Sequence, residues 1–229
     1  MDFASDKHGS MGLKCAKFKR SVVVRMLTAQ EALERLKQGN QRFVDGETTH
    51  QKLLSHQQRV DMAEDQNPFA IVLGCSDSRV PAEMVFDQGL GDLFVIRVAG
   101  NVVAPSQVGS VEFAAERYDC AVVVVLGHSH CGAIQATIDT LMCPDCPPSH
   151  NLMSIVNRVR PSVETLMQTE LKNDLAKLSK HAVRSNVFAS VNQLRHGSAV
   201  IENLIAIGKL KVVGAEYSLE TGQVEFFDF

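Results

Sequence analysis

Two kinds of hydrophobic pattern alternate along the chain. Phe69-Ala-Ile-Val-Leu73, Leu93-Phe-Val-Ile-Arg-Val98, Ala121-Val-Val-Val-Val-Leu126 and Leu210-Lys-Val-Val-Gly-Ala-Glu-Tyr217 are short, β-branched and nearly unbroken. Such runs read as strands buried on both faces, which is the habit of a parallel sheet. Between them, apolar residues recur every three or four positions, as on one face of a helix. Ala29, Ala32, Leu33 and Leu36 form one such face, opened by the capping box Thr28-Ala-Gln-Glu31 and ended at Gly46. Val111, Ala114, Ala115 and Tyr118 form a second, and Ile134, Thr137, Ile138 and Leu141 a third.

Further helices are predicted at about 53–63, as a short segment started by Pro81 with Met84, Val85 and Phe86 inward, and through 151–207. There Leu152, Ile155, Val156 and Val159 share a face, Pro161 breaks the helix, and His196-Gly197 sets off a last one from Ser198 to Ile207. Thr221-Gly222 is a tight turn before Val224-Glu-Phe-Phe, an edge strand. The β-α-β alternation predicts an α/β fold: a central, mostly parallel sheet of four strands plus an edge strand, flanked by helices, with an N-terminal helical arm. Residues 1–25 are unpatterned and read as a disordered leader, and 26–229 as one domain.

Composition narrows the function classes. A formal net charge of −3 over 229 residues offers no basic face for nucleic acid, and no apolar stretch approaches a membrane span. No signal-peptide core is present, so a cytoplasmic location is the default expectation. Six cysteines in such a chain argue for reduced thiols or metal rather than a disulfide scaffold.

The candidate chemistry lies just past two strand ends. Gly74-Cys75-Ser76-Asp77-Ser78-Arg79 follows the first apolar run, and Gly127-His128-Ser129-His130-Cys131-Gly132 the third. In open α/β sheets that rim is where ligands bind. Cys75, His128 and Cys131 suit zinc, which takes sulfur and nitrogen ligands in a tetrahedron, and three protein ligands leave a catalytic fourth vertex. Asp77 is close enough in sequence to reach that vertex, and Arg79 suits a bidentate grip on its carboxylate. Gly132, opening a helix, can offer its amide to an anion, and Val80 is expected to line the pocket with Phe94.

These residues, with Gly-Asn-Gln-Arg-Phe43 upstream, make the chain resemble the β-class carbonic anhydrases from about Leu27 to Tyr217. The resemblance implies a Zn2+ enzyme that interconverts carbon dioxide and bicarbonate, in which a zinc-bound hydroxide is oriented by the Asp77–Arg79 pair. It further implies a homodimer, or a tetramer built from dimers, with parts of the pocket at the dimer boundary. By the same resemblance Cys75, His128 and Cys131 are the ligands, Gln66 binds substrate, and Phe94 and Ala99 line the pocket, Ala99 standing where valine is usual. Hydrolysis of carbonyl sulfide or carbon disulfide on the same fold is an alternative, as is a non-catalytic, bicarbonate-sensing zinc protein. Outside the pattern, His130 is a candidate proton shuttle. Cys143-Pro-Asp-Cys146 reads as a plain loop rather than a redox or metal site, Cys120 as core, and Asp87 and Arg97 as structural.

Overall fold

The computed structural model describes residues 27–49, 60, 62–63 and 66–227. The expected leader, Cys15 and most of the helix expected at 53–63 lie outside these residues. The described elements run α1 (Ala29–Asp45), β1 (Ala70–Gly74), α2 (Ala82–Val85), β2 (Leu93–Arg97), a 3-10 turn (Ala99–Asn101), α3 (Pro105–Tyr118) and β3 (Val122–His128). Beyond them come α4 (Gly132–Met142), α5 (His150–Met167), a 3-10 turn (Glu170–Asn173), α6 (Leu175–His196), α7 (Ala199–Ala206), β4 (Lys211–Tyr217) and β5 (Val224–Phe227).

The strands form one sheet in the order β2-β1-β3-β4-β5, parallel except for β5, which pairs antiparallel with β4. Strand side chains alternate between its faces. Ile71, Leu73, Val123, Val125 and Val212 enter one core with α3, α6 and α7. Ala70, Val72, Val122, Val124, Leu126 and Val213 enter the other, beneath α1 and α2. Covering helices on both sides explain why these strands are apolar throughout.

The order matters for the site. From β1 the chain crosses outward to β2, then returns past β1 to β3, so successive connections leave β1 in opposite directions. A cleft opens at such a switch, outside the carboxyl ends of the two strands. Gly74 at the end of β1 pairs with Leu126 near the end of β3. Cys75 and the His128–Cys131 loop are therefore neighbours.

Helix α1 carries the expected cap: Glu31 N–H donates to Thr28 Oγ1, while the Glu31 carboxylate accepts from Thr28 N–H. It ends on Gly46 in the left-handed region. Four local expectations are corrected. Helix α5 runs unbroken through Pro161; that residue is exposed, so water can serve the carbonyl its missing N–H leaves free. Met84 points outward while Val85 and Phe86 are buried, because α2 is a single turn and cannot turn three consecutive residues inward. Leu152 also faces solvent, leaving Val156 and Val159 as the buried stripe of α5. Cys143 and Cys146 pair as a disulfide within the turn between α4 and α5, a local closure rather than a plain reduced loop. No helix among the described residues is long and apolar enough to cross a membrane.

Candidate metal centre

Cys75 enters the site from the end of β1, His128 from the last position of β3, and Cys131 from the N-cap of α4. All three are buried, and their ligand atoms lie within 4.8 Å of one another. Two sulfurs and a nitrogen around one tetrahedral zinc stand roughly 3.3–3.8 Å apart, given bonds of about 2.0–2.3 Å, so the set fits that ion with little movement. The imidazole supplies a second indication. Its Nδ1 lies 2.9 Å from the Ser129 carbonyl, to which it can donate, whereas Nε2 is buried without a hydrogen-bond partner. An orphaned ring nitrogen beside two sulfurs is the donor a metal would use.

Electrostatics agree. The hydrogen bond from Cys131 holds the Cys75 thiol down at about 4, against burial and with help from His128 and the amides of Gly100 and Asp77. The same bond, with burial, pushes the Cys131 thiol up. Burial opposes charge on His128, but attraction to the Cys75 sulfur and Asp77 outweighs it and raises the imidazole. The two sulfurs thus share one proton and one negative charge next to a cation-favouring ring, a pocket built to receive positive charge.

Asp77 stands outside the ligand set. Its Oδ2 is 4.0 Å from His128 Nε2, and Arg79 grips both of its oxygens, Nε to Oδ1 at 2.9 Å and Nη2 to Oδ2 at 2.8 Å. The Arg79 backbone N–H adds a bond to Oδ1 at 3.0 Å. These donors, the side chain foremost, hold the Asp77 carboxyl far below the usual carboxylate range.

The other expected residues are placed variously. Gly132 is exposed at the first position of α4. Ala99 opens the 3-10 turn whose Gly100 N–H points at the Cys75 sulfur, 3.4 Å away. Val80 is buried in the core beneath α1, among Val72, Val85 and Leu126, and belongs to a different cluster from Cys75 and Cys131. Gln66 precedes β1 and donates to the Tyr118 hydroxyl at 2.9 Å; Phe94 packs at a tilt against Tyr118 and Phe113. Both therefore sit towards the amino ends of the strands, Phe94 in register with Ile71, about 13 Å before Cys75 along β1, and Gln66 before the strand begins. Within one chain they do not join the ligand set. His130, at a positive φ of 54°, presents an exposed imidazole to Glu220.

Arg97, expected to pair structurally near the site, holds two of its backbone carbonyls. Its Nε donates to the Cys75 carbonyl at 3.1 Å and its Nη2 to the Asp77 carbonyl at 2.6 Å. The available signal was a lone arginine ending an apolar strand beside the Cys75 strand. Asp87 is structural, as expected, buried against Arg42 and Thr49.

The fold and this ligand cluster define a β-class carbonic anhydrase, and the sequence comparison agrees: the carbonic anhydrase family profile matches residues 70–224, so the chain belongs to that family. Among similar proteins, a carbonic anhydrase of Mycolicibacterium smegmatis is 39% identical over 194 residues, covering 85% of this chain and 91% of its own. Carbonic anhydrase 2 of Mycobacterium tuberculosis is 38% identical over 197 residues, covering 86% and 92%. The solved β-carbonic anhydrase CcaA superposes with a TM-score of 0.67 at 25% identity, over 86% of this chain and 95% of that one. A tetrameric β-carbonic anhydrase of Sordaria macrospora shares the fold, with a TM-score of 0.66 at 23% identity over 75% and 86%.

Proposed function

We propose that this protein catalyses the reversible hydration of carbon dioxide to bicarbonate and a proton, with zinc held by Cys75, His128 and Cys131. The reading is carried by one observation: a buried Cys-His-Cys set at the switch point of the sheet, with a carboxylate beside it gripped by an arginine. When bound, zinc would supply a Lewis acid and a water far more acidic than bulk water, whose pKa is ~15.7. The residues do the rest. Asp77, kept ionised by Arg79, accepts a hydrogen bond from the attacking oxygen at Oδ2 and aims its lone pair at the substrate carbon. Arg79, which donates to both carboxylate oxygens, would hold Asp77 off a metal bound by Cys75, His128 and Cys131 and leave room there for water. Gly132 N–H, exposed at the start of α4, offers a donor to the oxygen that becomes anionic.

The functional unit in this reading is a homodimer, or a tetramer built from two dimers. Gln66 and Phe94 stand at the far end of the strands from the ligands, so they touch substrate only if they serve a partner's pocket, with Ala99 and Val80 remaining on their own chain.

Stopped-flow hydration by the zinc-loaded protein tests the assignment, with carbonyl sulfide run in parallel. We expect carbon dioxide turnover, loss of metal with Cys131→Ser, and loss of rate with metal retained in Asp77→Asn. Comparable turnover of carbonyl sulfide would reassign the substrate, and zinc binding without turnover would make this a sensing protein.

A further inference from the structure

Helix α6 turns an apolar face to the interior: Leu178, Ala182, Val183, Val187, Val191 and Leu194 are all buried. Asn186 and Ser190 interrupt that face one turn apart, at 2% and 4% exposure. Burying an amide and a hydroxyl costs free energy unless each finds a partner. Each does, and the partners are consecutive backbone carbonyls. Asn186 Nδ2 donates to the Gly100 carbonyl at 2.8 Å, and Ser190 Oγ to the Asn101 carbonyl at 3.1 Å.

Those two carbonyls belong to a turn that is unfavourable in isolation. Gly100 and Asn101 have φ of 69° and 44°, consecutive residues in the left-handed region. Gly100 must be glycine here, since a Cβ would come within 2.9 Å of the Ala133 Cβ. Residues held so persist where the surroundings over-determine them. What the conformation achieves is visible on the other side of the turn: Gly100 N–H points at Cys75 Sγ. A backbone N–H to a metal-bound sulfur fixes the direction of its lone pairs, and partners of this kind orient first-shell ligands.

We propose that Asn186 and Ser190 are positioning residues for the metal centre, acting through the Gly100–Asn101 turn to aim an amide at the Cys75 sulfur. The inference rests on the metal reading above and goes beyond it, since neither side chain reaches the ligand set. The α6 face thereby links the apolar core to the site. Carbonyls held from behind keep the amide forward, and the sulfur does not have to reorganise when metal arrives.

The test is zinc affinity by chelator competition and the sulfur-to-cobalt charge-transfer bands of the cobalt-substituted protein, on wild type, Asn186→Ala, Ser190→Ala and Asn40→Ala. Asn40 is a matched control: also a buried asparagine, bonded to backbone groups of Val85, Gly222 and Val224, none of them in the turn that faces Cys75. The expected result is a loss of zinc affinity of roughly 10–100-fold in Asn186→Ala, smaller in Ser190→Ala, with shifted charge-transfer bands in both. Asn40→Ala should lower thermal stability while leaving affinity and bands unchanged. If Ser190→Ala and Asn186→Ala fold and keep wild-type affinity and spectrum, or if Asn40→Ala shifts them equally, the proposal is overturned while the metal reading stands. Wild type binding no metal would overturn both.

Discussion

Arg97 donates from the end of β2 to the backbone carbonyl of Asp77 at 2.6 Å, and the same guanidinium holds the carbonyl of Cys75. One side chain thus sets the spacing between the backbone at Cys75, the proposed metal ligand, and at Asp77, the proposed orienting carboxylate. Replacing Arg97 by Ala frees both carbonyls. A displacement of about 1 Å can cost about 100-fold in rate. We expect kcat to fall by about that factor in Arg97→Ala with zinc retained. Arg97→Lys should recover only part, since a point-like ammonium cannot span both carbonyls as the planar fork does. Stopped-flow rates with parallel metal analysis check this.

Arg79 and Asp77 act as a unit, so their substitutions will not add. Arg79→Ala releases a carboxylate whose Oδ2 is already 4.0 Å from His128 Nε2. The freed group then competes for the open vertex. Arg79→Ala is expected to lose most of the activity, and Asp77→Asn in that background to cost little more. Full multiplicative loss in the double variant would contradict the coupling.

The rate should rise towards alkaline pH. In the proposed site two thiolates would cancel the formal charge of zinc, so a bound water would be acidified less than by three imidazoles. Asp77 is not the titrating group: its carboxyl is depressed far below neutrality, so it stays ionised across pH 6–9. Its sign is separate. A depressed carboxyl contributes stability that is present above its unfolded value near 4 and is lost as pH falls through the folded one. We therefore expect kcat to climb from pH 6 to 9, and acid destabilisation from this pair only below about pH 4. A flat rate profile would contradict the first.

Metal removal should lower the unfolding temperature. Without a metal, two buried sulfurs stand beside a His128 Nε2 that has no hydrogen-bond partner. Binding to the folded state alone stabilises by mass action, about 4 kcal/mol at a thousandfold excess over Kd. Calorimetry with and without a zinc chelator should show a concentration-dependent fall, absent in Cys131→Ser.

Gly39→Ala reverses a propensity rule. In an isolated helix the change gains up to about 1 kcal/mol. Here α1 crosses Phe86 so closely that a Cβ would stand 1.8 Å from its carbonyl oxygen. The backbone must move, and overpacking of this kind costs about 1–3 kcal/mol. Denaturant unfolding should show Gly39→Ala less stable than wild type.

That glycine also marks the limit of what a sequence conveys. Gly39-Asn40 reads as a weak point in α1, yet the structure uses both: Gly39 for close approach, Asn40 to bond Val85, Gly222 and Val224. Both demands come from residues far away in the chain. Pro161 is similar, since only its exposure explains why α5 continues through it.

The strands, most helices, the parallel sheet and the three metal-ligand candidates are written locally, because apolar periodicity and strand-end glycines are short-range signals. Cys75, His128 and Cys131 stand within a few residues of such ends, so the sheet must gather them at one rim. Tertiary structure alone decided which side chains support that rim. Arg97, Asn186 and Ser190 act on backbone carbonyls up to 22, 86 and 89 positions away, and a backbone carbonyl carries no residue-specific mark in the sequence. It likewise decided that Gln66 and Phe94 lie a strand's length from the ligands, because nine residues that include a strand lead away from a site rather than around it.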